Sequence, residues 1–109
     1  MVDLAASNIA WAAGLIEGEG CFTIHSGHPY FLIDMCDKDV LEKFQKIFPN
    51  STFRGPYIDV KNPQYKPRYR VDAFGPKCVE IMEAIYPYMG LRRQLKIEEL
   101  RKLNNNNRL

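Results

Sequence analysis

The spacing of apolar residues along the chain predicts pairs of strands that alternate with helices. Helical spacing is followed by period-two alternation, and the two patterns then recur in the same order. In chain order, the predicted elements are a helix over residues 9–17, strands over 21–25 and 30–36, a helix from Asp37 or Lys38 to Phe48, strands over 52–54 and 68–74, a helix from Gly75-Pro76 to Pro87, and a helix over 91–103.

Residues with strong local preferences mark the ends of these elements. Ser7 or Asn8 is the expected N-cap of the first helix, and Gly18 and Gly20 are expected to stop it. Turn residues at 26–29 join the first two strands into a hairpin, and a frayed tail is expected over residues 104–107. The result is an α+β domain of αββαββα type with one further C-terminal helix, and with an antiparallel sheet covered by helices on one face.

Length and composition favour one intracellular domain. The chain has 109 residues, of which 46% are hydrophobic and 26% charged, as in globular proteins. We expect residues 1–109 to form a single soluble domain outside any membrane, because no apolar run is long enough to span a bilayer. Met1-Val2-Asp3 does not resemble the start of a secretion signal, and three cysteines suit a reducing compartment.

Charge is distributed unevenly although the net charge is only +2. Residues 1–51 carry seven acids against three lysines, whereas residues 52–109 carry twelve bases against six acids. Residues 52–70, which include Pro56 and a polar loop rich in Tyr and Pro, hold five bases and one acid. This stretch is either an ordinary solvated loop or the place where a polyanion binds.

Small residues form one stripe on the first helix. Ala6, Ala10, Gly14 and Gly18 stand four residues apart and therefore lie on one helical face. Such a stripe lets another backbone approach closely, either inside the same domain or from a second copy of the helix.

Two glutamates lie at the end of that helix, where the helix dipole is negative. The negative charges of Glu17 and Glu19 are therefore unfavourable there unless a nearby cation compensates for them. If two copies of the helix crossed along the small stripe, their carboxylates would converge into oxygen ligands of the kind that suits Mg²⁺. The simpler alternative is two solvated surface glutamates.

Residues 11–22, WAAGLIEGEGCF, resemble the signature of the LAGLIDADG homing endonucleases. Residues 12–20 match the nine motif positions, with glutamate at both acid positions and identity at Ala13, Gly14, Leu15, Ile16 and Gly20. A looser similarity extends over residues 37–44 and over 85–94, which resemble the family's proline-aromatic-aliphatic turn followed by a basic pair and Gln.

The resemblance implies a metal-dependent, homodimeric DNA endonuclease with no small-molecule substrate. Glu19 would be the catalytic metal ligand, helped by the carbonyl of Gly18, with Mg²⁺ or another divalent cation such as Mn²⁺. Glu17 would be structural. One motif per chain implies a homodimer, whose interface would include Ala10, Ala13, Gly14, Glu17 and Gly18.

The resemblance also implies that the sheets of the dimer form a saddle on double-stranded DNA. Strand alternation, together with the charge of the long loop, then suggests the DNA-contacting side chains, which are Thr23, His25, Arg54, Lys61, Lys66, Arg68, Arg70 and Asp72.

This chain departs from the family pattern in two places. Active members often have a polar residue near the end of the second strand, where this chain has Met35 beside Asp34. They also tend to supply a basic side chain from beyond the last helix, for which Lys102 or Arg108 is available. A zinc site built from Cys21, His25, His28 and Cys36 is disfavoured by the spacing of these residues.

Three functions remain in view. The first is an intron- or intein-associated endonuclease that cuts both strands of a long pseudo-palindromic site. The second is a non-cleaving DNA- or RNA-binding relative, such as an intron-splicing maturase or a regulator. The third is one half of a heterodimer.

Overall fold

The computed structural model describes residues 5–106, and the side chains of residues 5–103, as an antiparallel sheet packed against helices. The helices are α1 (Ala6–Glu19), α2 (Lys38–Ile47), α3 (Pro76–Ile85) and α4 (Leu91–Asn106), and the strands are β1 (Cys21–His25), β2 (His28–Met35), β3 (Thr52–Tyr57) and β4 (Arg68–Phe74). This order confirms the predicted α+β class and its alternation of strand pairs with helices.

The four strands are arranged in the order β1-β2-β4-β3, and every neighbouring pair is antiparallel. His25 pairs with His28, so the hairpin turn consists only of Ser26 and Gly27. Their φ angles of 51° and 77° are those of a tight hairpin turn whose twist matches the strands. The predicted turn at residues 26–29 is therefore two residues too long, because His28 and Pro29 already belong to β2.

One face of the sheet carries the hydrophobic core. Buried residues alternate with half-buried ones along β2, as a period of two requires. Phe31 from β2 stacks on Phe44 from α2 with ring centroids 5.7 Å apart, and Ile16, Ile81 and Ile97 contribute from the other helices. The helices therefore cover this face and leave the opposite face of the sheet open.

Helix α1 is longer than the sequence pattern predicts. It begins at Ala6, with Ala5 as an N-cap that makes no side-chain hydrogen bond, so the predicted capping by Ser7 or Asn8 is wrong. Gly18 lies within the helix, and Gly20 ends it by adopting an extended conformation while its N–H donates to the Ile16 carbonyl oxygen at 2.8 Å. Gly18 does not end the helix, because a glycine inside a helix costs only about 1 kcal/mol relative to alanine.

Other boundaries also differ from the prediction. Strand β3 continues through Pro56 to Tyr57, which is possible because β3 is an edge strand. Helix α3 ends at Ile85, and a 3₁₀ turn over Tyr86–Tyr88 accommodates the proline at 87. The predicted frayed tail is wrong as far as residue 106, because α4 continues to Asn106. Residues 1–4 and 107–109, on which the expectations for Met1-Val2-Asp3 and Arg108 fall, lie outside the described residues.

Some large apolar side chains of β1 and α4 are exposed. Ile24 lies near the end of edge strand β1 and is 48% exposed, and Leu95 on α4 is 57% exposed. Across the described part of the chain, no helix has the length and apolar character needed to cross a bilayer.

Candidate nucleic-acid interface

The open face of the sheet is polar and carries most of the side chains that we expected to contact nucleic acid. Strand alternation turns Phe22, Phe31 and Val71 towards the core and the residues between them outward. The outward side chains include Thr23, His25, Tyr30, Asp34, Thr52, Arg54, Arg68, Arg70 and Asp72. The structure therefore brings six of the eight predicted DNA-contacting residues onto one surface.

Asp72 is the buried centre of a hydrogen-bond network on this face. Its Oδ2 accepts hydrogen bonds from Arg54 Nε and from the Tyr30 hydroxyl, both at 2.8 Å. The side chain of Asp72 is 7% exposed, whereas that of Arg54 is 50% exposed. Asp72 was expected to contact DNA directly, but its buried carboxylate is instead placed to hold Arg54 and Tyr30.

A second pair crosses from β4 to β2. Arg70 donates from Nε and Nη2 to the two carboxylate oxygens of Asp34, at 2.7 and 2.8 Å. Because Arg54 and Asp34 are the register partners of Arg70 on either side, the three residues form one row across the sheet. Two arginines directly opposite one another would repel, and the two aspartates compensate for their charge.

These contacts raise the pKa values of three groups on this face. Hydrogen bonding to Asp72 raises the pKa of Arg54, and hydrogen bonding to Asp34 raises the pKa of Arg70. Burial, followed by the hydrogen bond to Asp72, raises the pKa of the Tyr30 hydroxyl. The two arginines therefore stay charged, and Tyr30 stays a neutral donor, throughout the physiological range.

A groove of about 680 Å³ opens beside this network at the hairpin end of the sheet. His25 and Phe74 form part of its wall with ring centroids 6.0 Å apart, and Lys77 at the start of α3 lies at its edge. Thr23 is half-buried, and its register partner is Tyr30. The groove combines aromatic surface with positive charge.

The loop between β3 and β4 extends the basic surface beyond the sheet. Lys61 and Lys66 are exposed there, and Asp59 shapes the loop by accepting hydrogen bonds from the backbone N–H groups of Lys61 and Asn62 at 3.0 and 3.1 Å. Arg68 is exposed at the start of β4, with its Nη1 3.8 Å from the Cys36 sulfur. None of these three bases has a carboxylate partner among the described residues.

The small-residue stripe of α1 lies on the surface of the chain. Ala6, Ala10, Gly14 and Gly18 are all exposed, and a Cβ atom added at either glycine would meet nothing within 4 Å. Packing of this stripe inside the same domain is therefore wrong. Ala13, expected at the dimer interface, is only 2% exposed because its side chain belongs to the core of its own chain.

The C-terminal end of α1 distinguishes the two glutamates. The Glu17 carboxylate lies 3.3 Å from Arg93 Nε as an ion pair and accepts a hydrogen bond from the Gly90 N–H at 3.2 Å. Glu19 is exposed, and neither its carboxylate nor the Gly18 carbonyl oxygen has a hydrogen-bond or ionic partner among the described residues. Glu17 is thus held by contacts within the chain, whereas Glu19 presents its carboxylate oxygen atoms to solvent.

Metal-binding residues are sparse within one chain. Among the described residues, no three His, Cys, Asp or Glu side chains are grouped so that they could hold a metal ion. Cys21, on the outward side of β1, pairs with Leu32, and His25 pairs with His28 at the other end of the hairpin. The oxygen ligands at the end of α1 are the remaining candidates.

Three residues of the candidate site are not among the predicted site residues. Tyr30 and Asp34 alternate with buried Phe31 and Ile33, so the period-two pattern indicates that they lie on the outward face. Arg93, which contacts the end of α1, belongs to a basic pair in the sequence, and no local signal indicates this contact.

Several solved structures share this fold. The chain matches the homing endonuclease I-CvuI in complex with its target (TM-score 0.64, 19% identity) over 92% of this chain and 69% of that one. It matches the group I intron-encoded homing endonuclease I-CeuI complexed with DNA (TM-score 0.71, 13% identity) over 96% of this chain and 57% of that one. It matches the archaeal intron-encoded homing endonuclease I-Vdi141I complexed with DNA (TM-score 0.67, 17% identity) over 91% of this chain and 67% of that one.

No protein-family model matches the chain, and no curated protein sequence matches it. The similarity of this chain to these proteins therefore rests on the three-dimensional structure and on the motif in α1, since the overall sequence identity is low. The chain has the fold of the LAGLIDADG homing endonucleases.

Proposed function

We propose that the chain is a site-specific DNA endonuclease that acts as a homodimer and hydrolyses one phosphodiester on each strand of a pseudo-palindromic site. One observation carries this proposal. An exposed stripe of small residues on α1 ends at Gly18, and the carboxylate of the next residue, Glu19, has no partner among the described residues.

The stripe supports dimerisation through α1. Two glycines in a helix cost about 1 kcal/mol each relative to alanine, and among the described residues no contact fills the open space around Gly14 and Gly18. A second copy of α1 crossing along the stripe would supply that contact, because backbones can approach closely where side chains are small.

The same crossing explains how a metal site could be completed. One chain offers the Glu19 carboxylate and the Gly18 carbonyl, while Glu17 is held by Arg93. Both free groups are hard oxygen donors, which fit Mg²⁺ or Mn²⁺, and a second chain would double them. A divalent cation bound there would supply an activated water molecule and neutralise charge at the cleaved phosphodiester.

The open face of the sheet supports duplex DNA as the substrate. Gly20 alone separates α1 from β1, so the end of α1 adjoins the sheet edge. In a dimer, the two sheets would flank the paired helix ends as a saddle, with the outward arginines facing base edges and Lys61 and Lys66 reaching phosphates. The fold neighbours I-CeuI and I-Vdi141I were solved in complex with DNA.

A second candidate function is binding without cleavage, as in a splicing maturase or a regulator. Met35 favours it, because this thioether stands where active family members often have a polar side chain. It is only partly exposed and packs against the core. In that case the polar face and the α1 stripe would be used, but Glu19 would not be needed.

The test uses a randomised duplex DNA library incubated with the protein in Mg²⁺, after which bound and cut molecules are sequenced. We expect cut ends centred within a two-fold symmetric site. Glu19→Gln should abolish cleavage and leave binding intact, whereas the matched control Glu42→Gln on α2 should leave both unchanged.

Each other outcome contradicts part of the proposal. Enriched sites with intact strands would establish the binding module instead. Unchanged cleavage by Glu19→Gln would overturn the metal assignment. If no DNA is enriched, the endonuclease proposal fails, and enrichment from a parallel RNA library would then assign RNA as the ligand.

A further inference from the structure

We propose that Arg54 and Arg70 recognise guanine bases on the open face of the sheet, and that Asp72 and Asp34 are the positioning residues that hold them for this purpose. The inference rests on the proposed function, since it presumes that this face binds duplex DNA. It assigns the specificity of the face to four residues.

The contact of Arg54 leaves its recognition edge open. Among the described residues only Asp72 bonds this side chain, through Nε at 2.8 Å, and the side chain is half exposed. An arginine side chain has five N–H donors, so both terminal nitrogens remain without a carboxylate partner. These nitrogens form the fork that can bind N7 and O6 of one guanine together.

Asp34 binds the edge of the Arg70 guanidinium formed by Nε and Nη2, and not the edge formed by the two terminal nitrogens. Asp34 accepts from Nε and from one hydrogen of Nη2, and the Tyr30 hydroxyl is a further hydrogen-bond partner of Arg70. With three of the five N–H donors engaged, two remain for a base, and the carboxylate fixes the plane in which they lie.

The aspartates also act against unspecific binding. An unrestrained arginine can turn to any phosphate, but Arg54 and Arg70 are each fixed on one side by a carboxylate. Asp34 and Asp72 also lower the positive charge of the face, and this charge is what drives sequence-independent binding. Together these effects favour contacts to bases over contacts to the backbone.

The register predicts where the two guanines lie. Arg54 and Arg70 are directly opposite each other on neighbouring strands, with Cα atoms about 5 Å apart in such pairs. Successive bases on one strand rise by about 3.4 Å along the helix axis. Both guanines should therefore fall within one half-site, about one or two base pairs apart.

The experiment is a binding selection from randomised duplex DNA in EDTA, which prevents cleavage, followed by measured affinities for single-base changes. We expect wild-type protein to prefer guanine by about tenfold or more at two positions of each half-site. Arg54→Lys should remove the preference at one position and Arg70→Lys at the other, with the charge preserved.

The aspartate variants test positioning. Asp72→Asn and Asp34→Asn should each lower the guanine preference several-fold at the position of the arginine that they hold, while affinity for random DNA stays equal or rises. A purely structural role would weaken all sequences alike. The control Glu42→Gln makes the same change in net charge on the helical side of the molecule and should alter neither position.

The remaining outcomes distinguish failure of this inference from failure of the proposed function. Specific binding without a guanine preference, or with a preference that all four variants retain, overturns the inference and leaves DNA binding intact. Selection of no DNA by the wild-type protein overturns the proposed function and this inference with it. Should Asp72→Asn fail to fold in circular dichroism, the charge-preserving Arg54→Lys variant decides the assignment.

Discussion

Arg93 and Glu17 connect helix α4 to the C-terminal end of α1, beside the candidate metal site. Arg93 Nη2 on α4 donates a 3.2 Å hydrogen bond to the backbone carbonyl of Glu17 at the end of α1, and the side chains of the two residues form an ion pair at 3.3 Å. The same nitrogen donates to the Gly20 carbonyl at 3.0 Å. The positive charge of Arg93 therefore offsets both the negative end of the α1 helix dipole and the negative charge of Glu17.

Replacing Arg93 should destabilise the fold. We expect Arg93→Ala to lower the free energy of unfolding by about 1–3 kcal/mol, because it leaves carbonyl groups and a carboxylate without their donor. The control is the neighbouring exposed arginine in Arg92→Ala, for which a change within about 0.5 kcal/mol is expected. Urea denaturation followed by circular dichroism measures both, and equal effects would contradict the capping role.

Filling the small stripe should separate dimerisation from folding. Gly14→Leu adds a side chain where a Cβ meets nothing within 4 Å, so the monomer should be as stable as wild type or more stable by about 1 kcal/mol. The dimer should be lost, because the bulk keeps two α1 helices apart. Sedimentation velocity measures the association state.

The control for this experiment is Lys46→Leu, which adds a comparable apolar side chain on the exposed face of α2. It should leave the association state unchanged. A Gly14→Leu protein that still dimerises with wild-type affinity would show that α1 does not form the interface.

The buried thiol of Cys78 should make stability fall at high pH. Burial raises the pKa of Cys78 from its usual value near 9.0 to about 12. Above about pH 9 the unfolded chain loses this proton while the folded chain keeps it, so the unfolded state is favoured as pH rises towards 12. The stabilisation is fully present below pH 9.

This prediction is measured by comparing wild type with Cys78→Ala. The difference between their free energies of unfolding should shrink from pH 8.5 to pH 10.5. A constant difference for Cys78→Ala would contradict the assigned cause.

The basic loop should contribute to DNA affinity through phosphate contacts. Lys61→Ala and Lys66→Ala should each weaken binding to all sequences alike and reduce the slope of log K against log salt by about one. Fluorescence anisotropy at several salt concentrations gives the slope. Lys46→Ala, on the helical side, is the control, and an unchanged slope in the loop variants would place the phosphates elsewhere.

The element order of the fold and the orientation of the strands could be predicted from the sequence. Both depend on local periodicity, which records whether successive side chains such as Phe31 and Leu32 face apolar or polar surroundings. The same periodicity placed Arg54 and Arg70 on the outward face. Element ends were less predictable, as α1 and β3 show, because Gly18 and Pro56 are weak stop signals that a helix and an edge strand can accommodate.

Local sequence patterns specify the surfaces that this protein can build: an alternating sheet with one polar face, and a helix with a stripe of small residues before Glu19. Which of these residues are exposed and which are paired depends on the tertiary structure: the stripe is exposed while Ala13 is buried, Asp72 and Asp34 hold the two arginines, and Arg93 engages Glu17 while Glu19 stays exposed. The physical reason is distance along the chain. Periodicity senses neighbours within a few residues, whereas these contacts join residues 18 to 76 positions apart, which only packing brings together.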